Sequence, residues 1–312
     1  VRANDPSERA AKRREAVLKH LLDGEESERS VSVDSVAGAL EIRRSRAALL
    51  LAELATVGWV CPRGETWRLT DDGRKVALEI VRRHRLLETW MARETGRPAE
   101  DWHRAARSAG ARWDHGETNQ LADRLGNPRF DPHGDPIPTR EGDLRGAPRV
   151  SMAEWPEGLE AVIGHLEDEP ETIYREMVRA GLHPGMGIRG LQRVADGSME
   201  FTGEGRRIQI PATWLTMIHL EKSEPLLDPA VRRLSDRPIG SVSIVRELSP
   251  ACVGAERSRL LDLGLVPGTE IRCEFASPFG TPRSYWIRGT MIGLRREQAE
   301  RVLVLPQEGG AE

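Results

Sequence analysis

The chain has 312 residues, a formal net charge of −3, 30% charged residues and only 4% aromatic residues. That length suits two or three small soluble domains. The sequence has no run near the roughly 20 apolar residues of a membrane span, no apolar signal-peptide core and no C-x-x-C among Cys61, Cys252 and Cys273, so it points to a cytoplasmic, reducing setting without membrane insertion or a thiolate metal site. Overall charge does not advertise nucleic-acid binding, so any DNA contact must come from a local basic patch.

Residues 8–23 read as an amphipathic helix with Ala16, Val17, Leu21 and Leu22 inward. A polar loop follows, then a short helix over 33–40 with Asp34 as its expected N-cap. After a turn at 41–44, Ser45 is expected to cap a second helix that carries the apolar run Ala47–Ala55 and stops at Gly58. Two short strands, 59–61 and 66–69, complete helix, turn, helix and hairpin, the order of a winged helix-turn-helix. Its second helix would enter the major groove N-terminus first. Arg43, Arg44, Ser45 and Arg46 stand at that end, where guanidinium groups reach phosphates or guanine edges, and Ala48 and Leu49 could touch thymine methyls.

A long helix is expected from Asp71 or Asp72 to about Glu94, with further helices near 98–113 and 116–125. The prolines and glycines of 126–138 exclude regular structure there, and 139–148 reads as a linker. On the long helix, His84 and Glu88 are spaced i,i+4 and so project from one face, about one turn apart. Such a pair alone is usually an ordinary surface contact. With His103 it makes a candidate set for a divalent ion, and Asp114-His115 is a second acid–imidazole pair. His133 reads as a turn residue packed between domains rather than a ligand, and His165, Glu167, Asp168 and Glu169 as an acidic cluster that could lend a carboxylate to a metal, although most such runs are solvated faces.

The remainder contains an internal repeat. Gly181-Leu-His-Pro-Gly-Met-Gly-Ile-Arg189 matches Gly264-Leu-Val-Pro-Gly-Thr-Glu-Ile-Arg272, each after a short helix (170–180 and 255–263) and before alternating apolar strands. Each copy is expected to be a small β-barrel. The whole is then a multidomain α+β chain: winged helix-turn-helix over 1–72, a helical domain with the candidate metal ligands over 73–138, and two small barrels over 149–222 and 236–306, joined by 224–235. No phosphate loop, nucleophile elbow, His-Glu-x-x-His or dinucleotide fingerprint supports enzyme chemistry.

Four segments together resemble the iron- and manganese-dependent repressors typified by the diphtheria toxin repressor: Val57-Gly-Trp-Val60, Leu69-Thr-Asp-Asp-Gly-Arg74, His84-Arg-Leu-Leu-Glu88 and Asp131-Pro-His-Gly-Asp-Pro-Ile-Pro138. The C-terminal repeats, through 260–268 and 288–297, are similar to ferrous-iron transport A-type domains of Src-homology-3 type. The resemblance implies a homodimer that binds a palindromic double-stranded DNA operator in response to Fe²⁺ or Mn²⁺. It places DNA reading on Arg43, Ser45, Arg46, Ala48 and Leu49, and an ancillary metal site on His84, Glu88 and His103.

The chain departs from that pattern in the first helix, where the ligand positions fall on Ala16 and Lys19. The family's second ligand cluster falls without a gap on Arg107, Gly110 and Ala111, the alignment that keeps 121–138 in register. With a four-residue shift it falls on Ala111, Asp114 and His115. Either way the metal response is weakened, rebuilt or lost. Three readings stay open: a metal-responsive repressor, a metal-independent DNA-binding regulator on the same scaffold, and an interaction protein whose barrels bind a ferrous-iron transporter or another protein.

Overall fold

A computed structural model describes residues 6–95, 97, 102, 105–106, 113–144, 146, 149–223, 228–277 and 280–307. The fold is α+β, and the chain divides into two compact units. The first comprises Val1–Trp90, His103–Asp131 and Asp135–Gly146, and the second comprises Met91–Trp102, Pro132–Gly134 and Ala147–Glu312.

The first unit opens with α1 (Pro6–Glu26), β1 (Val31–Ser32), α2 (Val33–Ala39) and α3 (Arg44–Thr56), followed by β2 (Val60–Arg63) and β3 (Thr66–Leu69). The three strands pair in the order β1-β3-β2, with Val31 opposite Trp67 and Val60 opposite Leu69. One core gathers Val17, Leu18, Leu21 and Leu22 of α1 with Leu50, Leu51 and Leu54 of α3 and Val36 of α2. The buried stripe on α1 turns Ala16 outward, so Leu18 and not Ala16 completes the expected face.

Both expected caps move. Ser32, not Asp34, caps α2 by accepting the Ser35 N–H at 3.1 Å, because the short β1 strand delivers the chain to the helix two residues earlier. Asp34 instead pairs with Arg44 Nε at 2.8 Å on the surface. Ser45 lies inside α3, whose N-cap is Arg43 in extended conformation without a side-chain cap.

Helix α4 (Asp71–Glu94) follows β3 directly. The Thr70 hydroxyl accepts the Gly73 N–H at 3.0 Å and donates to the Gly58 carbonyl at 2.7 Å, which ties the helix start to the end of the helix-turn-helix. A Cβ at Gly73 would lie 1.7 Å from the Trp59 carbonyl oxygen, so only glycine permits this approach. Further along α4, Leu86 and Leu87 pack with Leu121 and Ala122 of α5 (His115–Arg124) and with Ile137. Arg82 and Arg85 donate to the carbonyls of Pro138 and Pro136 at 2.6 and 2.7 Å, which gives the irregular 126–138 segment fixed partners. Most of the expected helix near 98–113 lies outside the described residues.

The second unit holds two six-stranded antiparallel sheets of identical plan. The first is formed by β4 (Val150–Ser151), β5 (Ala161–Leu166), β6 (Gly187–Arg193), β7 (Met199–Gly203), β8 (Arg206–Ile210) and β9 (Ile218–Lys222), in the order β4-β9-β5-β6-β7-β8. The second is formed by β10 (Arg232–Arg233), β11 (Val242–Leu248), β12 (Glu270–Ala276), β13 (Arg283–Ile287), β14 (Thr290–Leu294) and β15 (Val302–Pro306), in the order β10-β15-β11-β12-β13-β14. Among the described residues, the pairings run in a line from end strand to end strand. Each sheet carries one longer helix after its first full strand: α6 (Glu171–Arg179) and α7 (Gly254–Asp262), the two expected at 170–180 and 255–263. A shorter helix, α8 (Arg296–Glu300), precedes β15. The second sheet takes in β10, so it begins before residue 236.

Each sheet has its own core, Ile163, Leu166, Met186, Phe201 and Ile218 in the first, Val245, Leu260, Ile271, Tyr285 and Val302 in the second. They meet at a buried polar knot. Glu204, at a positive φ of 49° in the β7–β8 turn, accepts from the Ser249 hydroxyl at 2.7 Å. It also lies 3.1 Å from His183 Nε2 and 2.8 Å from an Arg233 terminal nitrogen. Burial alone would raise the Glu204 carboxyl, but hydrogen bonding and charge from His183, then Ser249 and Arg233, bring it down to about 2.

Candidate nucleic-acid interface and metal-binding helix

Helix α3 is two-faced because its apolar residues recur at helical spacing. Ala47, Leu50, Leu51 and Leu54 are buried, while Arg43, Arg44, Ser45, Ala48 and Leu49 are exposed and Arg46 is half-buried. Leu49 is 55% exposed, which no packing role explains. The structure thus collects all six expected DNA-reading residues at the N-terminal half of one accessible helix face. The basic end is flanked by the α2–α3 turn, where Glu41 adopts a φ of 51°.

The second candidate lies on α4. His84 Nε2 and Glu88 Oε1 are 3.1 Å apart, with side chains 15% and 2% exposed. Two donors on neighbouring positions of one first-row ion stand about 3 Å apart, given metal–ligand bonds of roughly 2.1 Å. The pair therefore fits two such positions and is not the solvated surface contact that i,i+4 spacing usually makes. His103 lies outside the described residues.

The surroundings are rich in carboxylates. Asp131 is held well above the usual carboxylate range, first by burial and then by the negative charges of Asp135 and Glu88. Arg85 counters these charges from 3.9 Å and 3.6 Å, and burial alone would lower its own pKa, but Asp135, Asp131 and Glu26 raise it. Glu26 is raised by burial. This carboxylate-rich neighbourhood around Arg85 was not anticipated from spacing, although the Asp131 and Asp135 pair in the Pro-Gly turn was its visible sign.

Asp114 and His115 have other occupations. The Asp114 carboxylate accepts the Glu117 N–H at 2.8 Å while Glu117 accepts the Asp114 N–H at 2.8 Å, a reciprocal cap on α5. His115 Nδ1 lies 2.9 Å from Glu79, with side chains 62% and 42% exposed. Neither belongs to any group of three or more metal-ligating side chains among the described residues. Asp114 thus serves as a helix cap and His115 as half of a surface pair. Ala111, the third position of the four-residue shift, lies outside the described residues, as do Arg107 and Gly110 of the gapless alignment.

On α1, Ala16 is exposed and Lys19 half-buried, and neither offers a metal donor. One residue earlier, Glu15 accepts from Arg83 of α4 at 2.8 Å, with side chains 32% and 14% exposed. A side-chain ion pair therefore joins α1 to α4, a contact the sequence reading missed because its partners are 68 residues apart.

Residues 70–139 match the family described as iron dependent repressor, metal binding and dimerisation domain, and residues 232–306 match the FeoA domain. The iron-dependent repressor IdeR of Mycobacterium leprae is 29% identical over 124 residues, covering 34% of this chain and 52% of that protein. The chain thus spans about half the length of that relative. A manganese-dependent transcriptional repressor solved in complex with manganese superposes with a TM-score of 0.62 at 25% identity, over 67% of this chain and 100% of that one. The crystal structure of T. acidophilum IdeR superposes with a TM-score of 0.54 at 22% identity, over 72% of this chain and 100% of that one, a likeness of fold. No described helix is long and apolar enough to cross a membrane. The domain matches and the fold agree: the chain is similar to the iron- and manganese-dependent transcriptional repressors, through their metal binding and dimerisation domain at 70–139 and a FeoA domain at 232–306.

Proposed function

We propose that this protein is a metal-responsive transcriptional repressor, not an enzyme, that binds a palindromic operator as a homodimer. The observation that carries the reading is the exposed, arginine-rich N-terminal face of α3. Arg43, Arg44, Ser45 and Arg46 are suited to phosphates and base edges, and Ala48 and Leu49 to thymine methyls. Helix α3 with the β2–β3 hairpin acts as a winged helix-turn-helix over 1–72, and 73–138 supplies dimer contacts and metal ligands. Each C-terminal sheet, over 149–222 and from about 232 to 306, acts as a small barrel-like module. The DNA-binding role implies a cytoplasmic protein.

His84 and Glu88 would hold a borderline divalent ion such as Fe²⁺ or Mn²⁺, with His103 as a third ligand. Such an ion supplies positive charge inside a carboxylate-rich neighbourhood. The chain's own part is to present an imidazole and a carboxylate from successive turns of α4, with Glu88 shielded from water. A transporter partner draws no support from the matches. A second reading, DNA binding without metal, is favoured by one observation: Glu15 and Arg83 already join α1 to α4 where Ala16 and Lys19 offer no ligand.

Fluorescence anisotropy on DNA selected from a random pool, with selection run both in chelator and in added Fe²⁺ or Mn²⁺, tests both. Binding that appears only with metal, and is lost in His84→Ala, supports the first reading. Equal binding in both conditions supports the second. Unchanged affinity in Arg43→Ala/Arg46→Ala overturns the placement of DNA reading on α3.

A further inference from the structure

The first sheet of the second unit brings two imidazoles and a carboxylate together. β5 and β9 pair Ile163 with Leu220, then, past a bulge, His165 with His219 and Leu166 with Ile218. Gly164 is the extra residue. Strict alternation would turn His165 to the same face as Ile163, into the core. The bulge resets the alternation: Ile163, Leu166, Ile218 and Leu220 all remain in the core, and His165 stands beside His219 on the opposite face. Glu167, two residues beyond His165 and held by its N–H to the Met217 carbonyl at 2.9 Å, follows on that face.

The geometry is tight. His165 Nε2 is 3.6 Å from Glu167 Oε1, and the two imidazole centroids are 5.3 Å apart at 43°. One ligand atom from each of His165, Glu167 and His219 lies within 4.8 Å of the other two. His165 is 8% exposed, whereas the Glu167 side chain is 46% exposed, so the group opens to water on the carboxylate side. Residues 132–134 lie over the bulge. The Leu166 N–H donates to the His133 carbonyl at 3.1 Å, and a Cβ at Gly134 would fall 2.0 Å from the Gly164 carbonyl oxygen. Arg149, the neighbouring cation, is matched by Glu221 at 3.8 Å.

The fold itself does not call for these side chains. The second sheet has the same bulge, between Val245 and Glu247, and there Glu247 pairs with Leu303 while Ser249 stands two residues beyond. The architecture thus forms with no imidazole at either matching position, so the histidines of the first copy need another reason. Two imidazoles and one carboxylate are a ligand set for borderline divalent ions. At bond lengths of roughly 2.0–2.2 Å, adjacent ligands on one ion stand about 3.0–3.5 Å apart, a few tenths of an ångström from the separation between His165 and Glu167.

We propose that His165, Glu167 and His219 form a binding site for a divalent first-row transition-metal ion, with two nitrogen ligands, one oxygen ligand and the remaining positions open to water. The site uses none of the ligands assigned to α4 and stands independently of that assignment. An ion there clamps β5 to β9 across the bulge, so the first β-domain is itself metal-dependent in stability.

The test is a Co²⁺ titration of the full chain, followed by visible absorption, in the His84→Ala background so that the α4 pair is disabled. The expected result is that His84→Ala retains one Co²⁺ whose affinity falls by about tenfold or more on adding either His219→Ala or Glu167→Gln. Glu167 is half-exposed at a strand end, so its variant keeps the fold, and circular dichroism checks both. If His84→Ala binds no Co²⁺, or if neither added substitution weakens binding, the site does not exist. If only His219→Ala weakens it, the three-ligand assignment is wrong.

Discussion

Replacing Glu204 by glutamine removes the charge from the knot between the two β-domains with little change of shape. A carboxyl at about 2 in the folded chain, against an ordinary value of 4.5, contributes about 3 kcal/mol of stability at neutral pH. The sign follows from the lowered value. The contribution is complete above about pH 4.5, where the unfolded carboxyl is ionised, and is lost as pH falls through about 2. At pH 3 about 1.4 kcal/mol remains, one tenfold step in the proton equilibrium. Arg233, only 8% exposed, is left beside a neutral amide, which adds to the loss. Urea unfolding of both proteins between pH 7 and pH 3 should therefore show Glu204→Gln less stable by about 3 kcal/mol at pH 7, with the gap narrowing below pH 4.5. A gap that is absent at pH 7, or that does not change with pH, would refute the claim that an ionised Glu204 holds the two domains together.

Three further outcomes are expected. Gly73→Ala should destabilise the first unit by about 1–3 kcal/mol or more in thermal or urea unfolding, because its methyl meets the Trp59 carbonyl. Arg83→Ala should cost about 1 kcal/mol, since its partner Glu15 is only partly buried. If the metal-free reading holds, the same variant should weaken DNA binding in chelator, as measured by anisotropy. Arg43→Ala/Arg46→Ala should flatten the plot of log affinity against log salt by roughly two charges if both arginines contact phosphate, read from a salt titration.

Much of the architecture was legible in the sequence because it depends on local periodicity. The 3.6-residue apolar stripes of α1, α3 and α4 and the turn chemistry of Leu-x-Pro-Gly act over a few residues, so they mark elements and the repeat directly. The exposed face of α3 was legible for the same reason. Caps were less so. Ser32 rather than Asp34 begins α2 because β1 pairs with β3, a partner about 35 residues on that local spacing cannot reveal. Asp114-His115 shows in sequence only as an acid–imidazole pair; the capping box on Asp114 and the contact of His115 with Glu79 depend on where the helix starts and on a residue 36 positions away. Hidden most completely were contacts set by sheet register. The one-residue bulge at Gly164 decides which face His165 occupies, and a lone glycine within a strand is its one local sign.

The joint at Glu204 is written into the first copy and not into the second. The contact is head-to-tail: a turn of the first copy docks on Ser249 and Arg233 of the second. Heterologous contacts of this kind can in principle be repeated without end. The equivalent turn of the second copy, between β13 and β14, keeps the backbone, with φ of 48° at Arg288 and 77° at Gly289 against 49° at Glu204 and 81° at Gly205. Its leading residue is an arginine where the first copy has a glutamate, and Val266 stands where the first copy has His183. An arginine-bearing acceptor like the one at Arg233 would meet like charge at that turn. The two equivalent turns thus have opposite electrostatic character: the first attracts such a surface and the second repels it.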